Sequence, residues 1–346
     1  MMNQNAQQHY CFLPFNTVLL YRHPVGRVVP CCFSPVETGN LRAQPLETIW
    51  NSPAIQALRK SIIDGSYRFC PPSCYMISRS PVLEELEEPI QTFVREKRTA
   101  LPLSAIQRFS DGHDGRCNLA CPSCRDGLHG IPREELDAYD LVEKEILKLL
   151  RYVEEYDTSL QGDPFASPFT RNLLKTMDPR FYPRLKIISI ETNGQLLDQQ
   201  MWAAMSLIHP LIRIILISVD AAAPETYEIN RCPGKWNRLI DNIEYLAGVR
   251  AQMDDPFHFH LKFVVQQNNF RELPRFIELC RQWKATAFLQ YLENWGTYTE
   301  NDFNRRAVHR PEHPEYMQLR RILDMPELHQ PHVDWGTLTA VGLSPA

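Results

Sequence analysis

From about residue 101 the chain alternates short apolar runs with stretches of helical period, and this alternation restricts its fold more than any other feature. Candidate strands fall at 104–109, 158–161, 185–191, 213–220, 257–266 and 287–292. Helical patterns at 134–152, 236–253 and 272–283 lie between them; in the first, Leu141, Val142, Ile146, Leu149 and Leu150 recur at one-face spacing. Strands separated by helices imply parallel pairing, because each crossover helix packs back on the sheet. The expected class is α/β, with the strands curled as an incomplete barrel. Residues 96–310 would form this domain and residues 1–95 a smaller, cysteine-rich one. Residues 311–346 would be a softer tail rich in Pro and His, with a helical piece near 316–323.

The front of the chain carries a helical stretch at 46–65, beginning near Pro45 and closed by Gly65, a residue type that commonly ends helices. Residues 81–100 (PVLEELEEPIQTFVREKRTA) read as a charged connector, either a solvated helix or a linker. The net charge of −4 gives no excess of Lys and Arg for a phosphate backbone, so no nucleic-acid partner is expected. The longest apolar runs, such as 211–219, are too short to span a bilayer, and MMNQNAQQHY lacks the charged start and apolar core of a secretory signal. A cytoplasmic chain with no membrane partner is the expectation.

Ten cysteines are unusual in a reducing compartment, and eight of them precede residue 125. Clustered thiols inside the cell point to metal rather than disulfides. Cys232 and Cys280 stand apart and are expected to be inert, behaving as small buried hydrophobes. The segment RCNLACPSCR places Cys117, Cys121 and Cys124 as C-x3-C-x2-C shortly after the first candidate strand. Three thiolates on a short loop can ligate three irons of a [4Fe–4S] cube and leave the fourth open to a small molecule. A structural zinc is the alternative, but zinc sites pair two such knuckles or add His at set spacing. No second knuckle follows, and His113 and His129 do not supply that pattern.

This loop and its placement resemble the signature of the radical S-adenosylmethionine (SAM) family, whose members are typically partial (β/α)6 barrels. The resemblance implies that the open iron chelates SAM and that reduction cleaves it to a 5′-deoxyadenosyl radical, which abstracts hydrogen from the substrate. Ser123 departs from the pattern, since many members carry an aromatic residue before the last cysteine. Functional groups of such barrels sit at the C-terminal ends of strands. By the same resemblance Gly162 and Asp163 would meet the methionine amino group. Thr192, Asn193, Ser218 and Asp220 would meet the ribose and carboxylate, with Arg231 as a planar cation for the carboxylate. Polar ends at 264–269 and 293–295 face the same mouth; Trp295 is expected to pack rather than stack on substrate.

The N-terminal thiols form a second pattern. Cys11 precedes Gly26, which would allow a hairpin turn, then Cys31 with Cys32 beside it, and finally Cys70-Pro71-Pro72-Ser73-Cys74. Four of these thiolates could bind zinc or a cluster. The spacing C…G-x4-C, followed by GN…L..IWNSP, resembles the SPASM/twitch auxiliary-cluster module, which normally follows the barrel but here precedes it. That resemblance implies one auxiliary [4Fe–4S] cluster on Cys11, Cys31, Cys70 and Cys74, with Cys32 spare, in an electron-transfer or structural role. It also implies a flavodoxin- or ferredoxin-type reductant and a peptide or peptide-like substrate. A sugar or aminoglycoside-like metabolite undergoing dehydrogenation or epimerisation is the alternative substrate. A non-catalytic iron–sulfur or zinc protein for binding or redox sensing is the alternative class.

Overall fold

The strands are longest where apolar residues alternate most regularly. The computed structural model describes residues 8–21, 25–31, 36–71, 74, 76–77 and 80–343. The chain divides into two compact units whose segments interleave along the sequence. One comprises Met1–Gly115, Ile131–Gly162 and Asp178–Ile188, the other Arg116–Gly130, Asp163–Met177 and Ser189–Ala346. These units do not coincide with the segments 1–95, 96–310 and 311–346.

In the first unit, β1 (Thr17–Tyr21), β2 (Arg27–Val29) and β3 (Gly39–Asn40) form an antiparallel set. On its other edge β1 pairs in parallel with β4 (Arg108–Ser110), and β4 in parallel with β5 (Glu155–Asp157). The N-terminal region therefore shares a sheet with the first strands of the expected α/β domain. Gly26 adopts a φ of 81° ahead of β2, and a Cβ there would lie 2.7 Å from Val142 Cγ2, so the turn requires glycine for both backbone and space. The expected helix at 46–65 is two helices, Leu46–Trp50 and Pro53–Ile63. The break has a local cause: Ser52 caps the second helix by accepting from Ile55 N, and Pro53 starts it without needing a donor. The fully buried Arg59 donates to Pro14 O at 2.8 Å and Thr99 O at 2.7 Å and lies 4.3 Å from the Trp50 ring centroid. The expected connector at 81–100 is more ordered than a solvated linker, since its helix Ile90–Arg95 buries Ile90, Phe93 and Val94.

In the second unit, β6 (Ile187–Thr192), whose first residues belong to the other unit, neighbours β7 (Ile212–Ser218). From β7 the ladder runs in parallel through β8 (His258–Val265), β9 (Thr286–Tyr291) and β10 (Val333–Asp334). The helices Trp236–Arg250 and Leu273–Gln282 occupy the connections, as the periodicity predicts. Strand β8 alternates in burial along its length, with Phe259, Leu261, Phe263 and Val265 inside. Each fully buried Phe contributes about 2–3 kcal/mol of transfer free energy. The mixed α/β class with a parallel sheet is as expected. The C-terminal segment is not a loose tail: it adds the helix Tyr316–Leu323 and closes the sheet edge with β10. Among the described residues no helix is long and apolar enough to cross a membrane.

Candidate functional site

The segment 116–130 is irregular, with neither helix nor strand, and carries all three central thiols. A tight turn closes it where Cys124 N and Arg125 N both donate to Cys121 O, at 2.9 and 3.0 Å. Cys117, Cys121 and Cys124 are all free thiols, and an N–H donor faces each. Leu119 N and Asn193 Nδ2 lie 3.4 and 3.5 Å from Cys117 Sγ. Arg231 Nη1 lies 3.8 Å from Cys121 Sγ, and Arg125 Nη2 lies 3.9 Å from Cys124 Sγ. Such donors favour thiolate over thiol and stabilise charge on cluster sulfur. Burial, reinforced by Asp163, pushes the Cys117 thiol up to about 11, and burial also raises Cys121. Without metal these thiols are therefore protonated at neutral pH, and a metal must displace the protons.

Strand-end residues tie this loop in place. Asp163 is fully buried; its Oδ2 accepts from Thr192 Oγ1 at 2.7 Å and Asn193 N at 2.9 Å, while Oδ1 accepts from Phe165 N at 3.0 Å. Its own N–H donates to Arg116 O at 2.9 Å. Asp163 thus fixes the turn after β6 and the start of the cysteine loop, with its carboxylate taken up by protein donors. Asn193 Nδ2 reaches Asn118 Oδ1 at 2.9 Å as well as Cys117. Gly194 has a φ of 78°, and a Cβ there would meet Leu239 Cδ1 at 2.7 Å. Gly162 also has a positive φ, 77°. Glu191 pairs with Lys262.

Ser218 is buried at the end of β7. Two residues later Asp220 takes a φ of 58°, stabilised by Asn230 Nδ2 and Asn269 Nδ2 on its carbonyl at 3.0 and 2.9 Å. Its carboxylate accepts from Val264 N at 2.7 Å and pairs with Arg231 Nη2 at 2.5 Å. Burial opposes the charge of Arg231, but Asp220 together with Cys121 and Tyr227 outweighs it and raises its pKa. The buried Nε of Arg231 has no hydrogen-bond partner among the described residues.

Three features escape a reading of the sequence. Cys232 is half-buried rather than an isolated core thiol: its Sγ donates to Ala120 O at 3.1 Å, and its carbonyl accepts from Ala120 N at 2.7 Å. Only its position beside Arg231 hints at this. Gln195 bridges Tyr227 Oη at 2.9 Å and the backbone of Lys235, bracing the turn after β6. Trp295 is 72% exposed and does not pack as expected. Cys280 is fully buried, as expected.

The N-terminal thiols make a different setting. Cys11, Cys31, Cys70 and Cys74 line one small cavity with Leu58 and Ile62 of the helix Pro53–Ile63 and with Met76 and Ile77. Cys32 lies outside the described residues. Turns with Cys70 N on Tyr67 O, 2.8 Å, and Cys74 N on Pro71 O, 2.9 Å, shape the second pair. Burial pushes Cys11 up to about 12, and Cys31, Cys70 and Cys74 act in the same direction. Burial and the same neighbours raise Cys70 to about 11. The thiols surround the cavity rather than meet at a point: no group of His, Cys, Asp and Glu among the described residues has the spacing of a single-ion site. A cube of iron and sulfur takes its thiolates at separate corners.

Residues 113–252 match the radical SAM superfamily, and residues 11–75 match SPASM, an iron–sulfur cluster-binding domain. The chain carries a radical SAM domain. Its SPASM domain precedes the radical SAM domain, and the two matches together span more than half of the residues. Membership implies a SAM-binding [4Fe–4S] cluster in the radical SAM domain and auxiliary iron–sulfur chemistry in the SPASM domain. Among solved structures, SuiB of Streptococcus suis bound to S-adenosylmethionine is 16% identical, with a TM-score of 0.40 over 75% of this chain and 58% of that one. Archaeal TYW1 is 20% identical, with a TM-score of 0.30 over 55% of this chain and 56% of that one. The chain therefore spans a little over half the length of either. No curated protein matches the sequence.

Proposed function

We propose that this radical SAM enzyme holds its SAM-binding [4Fe–4S] cluster on Cys117, Cys121 and Cys124 and starts hydrogen abstraction from a peptide or peptide-like substrate. The observation that carries the reading is that three free thiols lie on one short loop, each faced by an N–H donor, with Asn193 reaching it from the end of β6 and Arg231 from the end of the helix Pro224–Asn230. When bound and reduced, the cluster and SAM supply a 5′-deoxyadenosyl radical. The chain's own residues bind and orient. Asp163 holds the Thr192–Asn193 turn, Asn193 steadies Cys117, and the buried Nε of Arg231 is a donor available to a carboxylate. Ser218 and Asp220 complete the polar wall of the same SAM site.

In this reading Cys11, Cys31, Cys70 and Cys74 ligate one auxiliary [4Fe–4S] cluster, which accepts or relays an electron because all its irons have protein ligands. A cytoplasmic flavodoxin or ferredoxin provides the reductant. The SPASM match supports the auxiliary cluster, and the peptide class is the substrate reading implied by the sequence resemblance.

Anaerobic reconstitution tests the proposal. About eight irons and eight sulfides per chain are expected, two cubanes. Dithionite and SAM should then release 5′-deoxyadenosine. A fully loaded sample that releases none contradicts the reading. Mass spectrometry with peptide and sugar panels decides the substrate class: turnover of a sugar alone would overturn the peptide assignment.

A further inference from the structure

Arg231 reaches the cysteine loop from another part of the chain. It follows the helix Pro224–Asn230, and its backbone N–H donates to Tyr227 O at 2.7 Å. The side chain is only 13% exposed and lies between two groups of opposite demand: Asp220 Oδ2 is 2.5 Å from Nη2, and Cys121 Sγ is 3.8 Å from Nη1. Neither partner can drift freely. Asp220 is anchored through Val264 N at 2.7 Å and through the two Asn amides on its carbonyl. The loop is pinned by the paired Ala120–Cys232 contacts, one residue from both Cys121 and Arg231. The result is a buried chain of carboxylate, guanidinium and cysteine sulfur held by backbone on both sides. In such a setting a fixed cation stabilises negative charge on the sulfur strongly, and a carboxylate behind it weakens that effect.

We propose that Asp220 and Arg231 are a charge-setting pair that tunes the reduction potential of the central cluster through Cys121, Arg231 raising it and Asp220 lowering it. This rests on Cys121 being a ligand of that cluster. An electron entering from a flavodoxin- or ferredoxin-class donor makes the cluster more negative, and no bond at the pair forms or breaks. Arg231 therefore favours the reduced state, while Asp220 keeps the potential low enough for the reduced cluster to remain a strong donor. Both are positioning residues in this role.

The test is a redox titration of the reconstituted full-length chain without SAM, following by electron paramagnetic resonance the cluster whose spectrum changes when SAM is later added. Arg231→Met should lower the midpoint and Asp220→Asn should raise it, each by about a tenfold change in the one-electron equilibrium, about 59 mV. Arg231→Lys keeps the charge and should stay near the wild type, which guards against a folding defect in the Met variant. A purely structural role does not produce shifts of opposite sign. Shifts in the same direction, or midpoints unmoved in both variants, would overturn the proposal. A wild-type chain with no SAM-responsive cluster would instead overturn the ligand reading on which it rests.

Discussion

The two cysteine groups of this protein differ in what surrounds them more than in the thiols themselves. The central three sit among donors and charges: Asn193, Arg125 and Arg231 each approach a sulfur, and a buried Asp–Arg pair stands behind one of them. The N-terminal four line a cavity whose other walls are apolar, Leu58, Ile62, Met76 and Ile77 among them. An apolar wall with a full set of thiols suits a closed cluster that exchanges only electrons. Polar walls with one thiol fewer suit a cluster that must also bind a zwitterion. The contrast fits the proposed function, with SAM activation at the central loop and electron handling at the N-terminal group.

Removing one thiol from each group gives the largest expected effect. Cys117→Ala should abolish 5′-deoxyadenosine release and leave about four irons per chain. Cys70→Ala should also lose about four irons yet retain part of the release. Iron analysis and chromatography of the nucleoside check both, and equal loss of release in the two variants would erase the distinction.

A smaller effect is expected from the buried carboxylate that organises the central site. Asp163→Ala removes the acceptor for Thr192, Asn193 and Phe165 and should cost about 2–3 kcal/mol of stability in urea denaturation of the iron-free chain. Gly194→Ala forces a Cβ into a left-handed backbone against Leu239 and Ile217 and should cost about 1–3 kcal/mol in the same measurement. Both should lower SAM cleavage without changing iron bound at the N-terminal group.

The gentlest probe is pH. His113 is buried; burial lowers its pKa, but Asp111 at 2.6 Å, together with Glu143, overcomes this and raises it to about 10. A raised folded pKa means that His113 contributes fully to stability below pH 6.5 and that the contribution fades as pH rises through about 10. The urea midpoint of the iron-free chain should fall over that window, and His113→Gln should flatten the fall.

Much of this was legible in the sequence for physical reasons. Strands β6 to β9 declare themselves because each is six to eight residues long and apolar residues recur along its length. Strand β5 was read at 158–161 but lies at Glu155–Asp157, where the only apolar side chain is Tyr156, buried by stacking on Phe109 at 5.5 Å. One aromatic between two acids carries no period to detect. The first strand, read at 104–109, is Arg108–Ser110, because 103–105 turn as a 3-10 helix. Strand β10 is two residues long and leaves no pattern at all. That Cys117, Cys121 and Cys124 share one irregular loop was readable from their spacing. The clasp of Cys232 on Ala120 was not, since it joins residues 112 apart in sequence.

Mössbauer spectroscopy of iron-57-reconstituted chain with and without SAM tests the division of labour most directly. SAM should change the signal of one iron of about eight. That change should persist in Cys70→Ala and vanish in Cys117→Ala. A SAM-dependent change that survives in Cys117→Ala and disappears in Cys70→Ala would place the open iron at the other end of the chain and contradict the account.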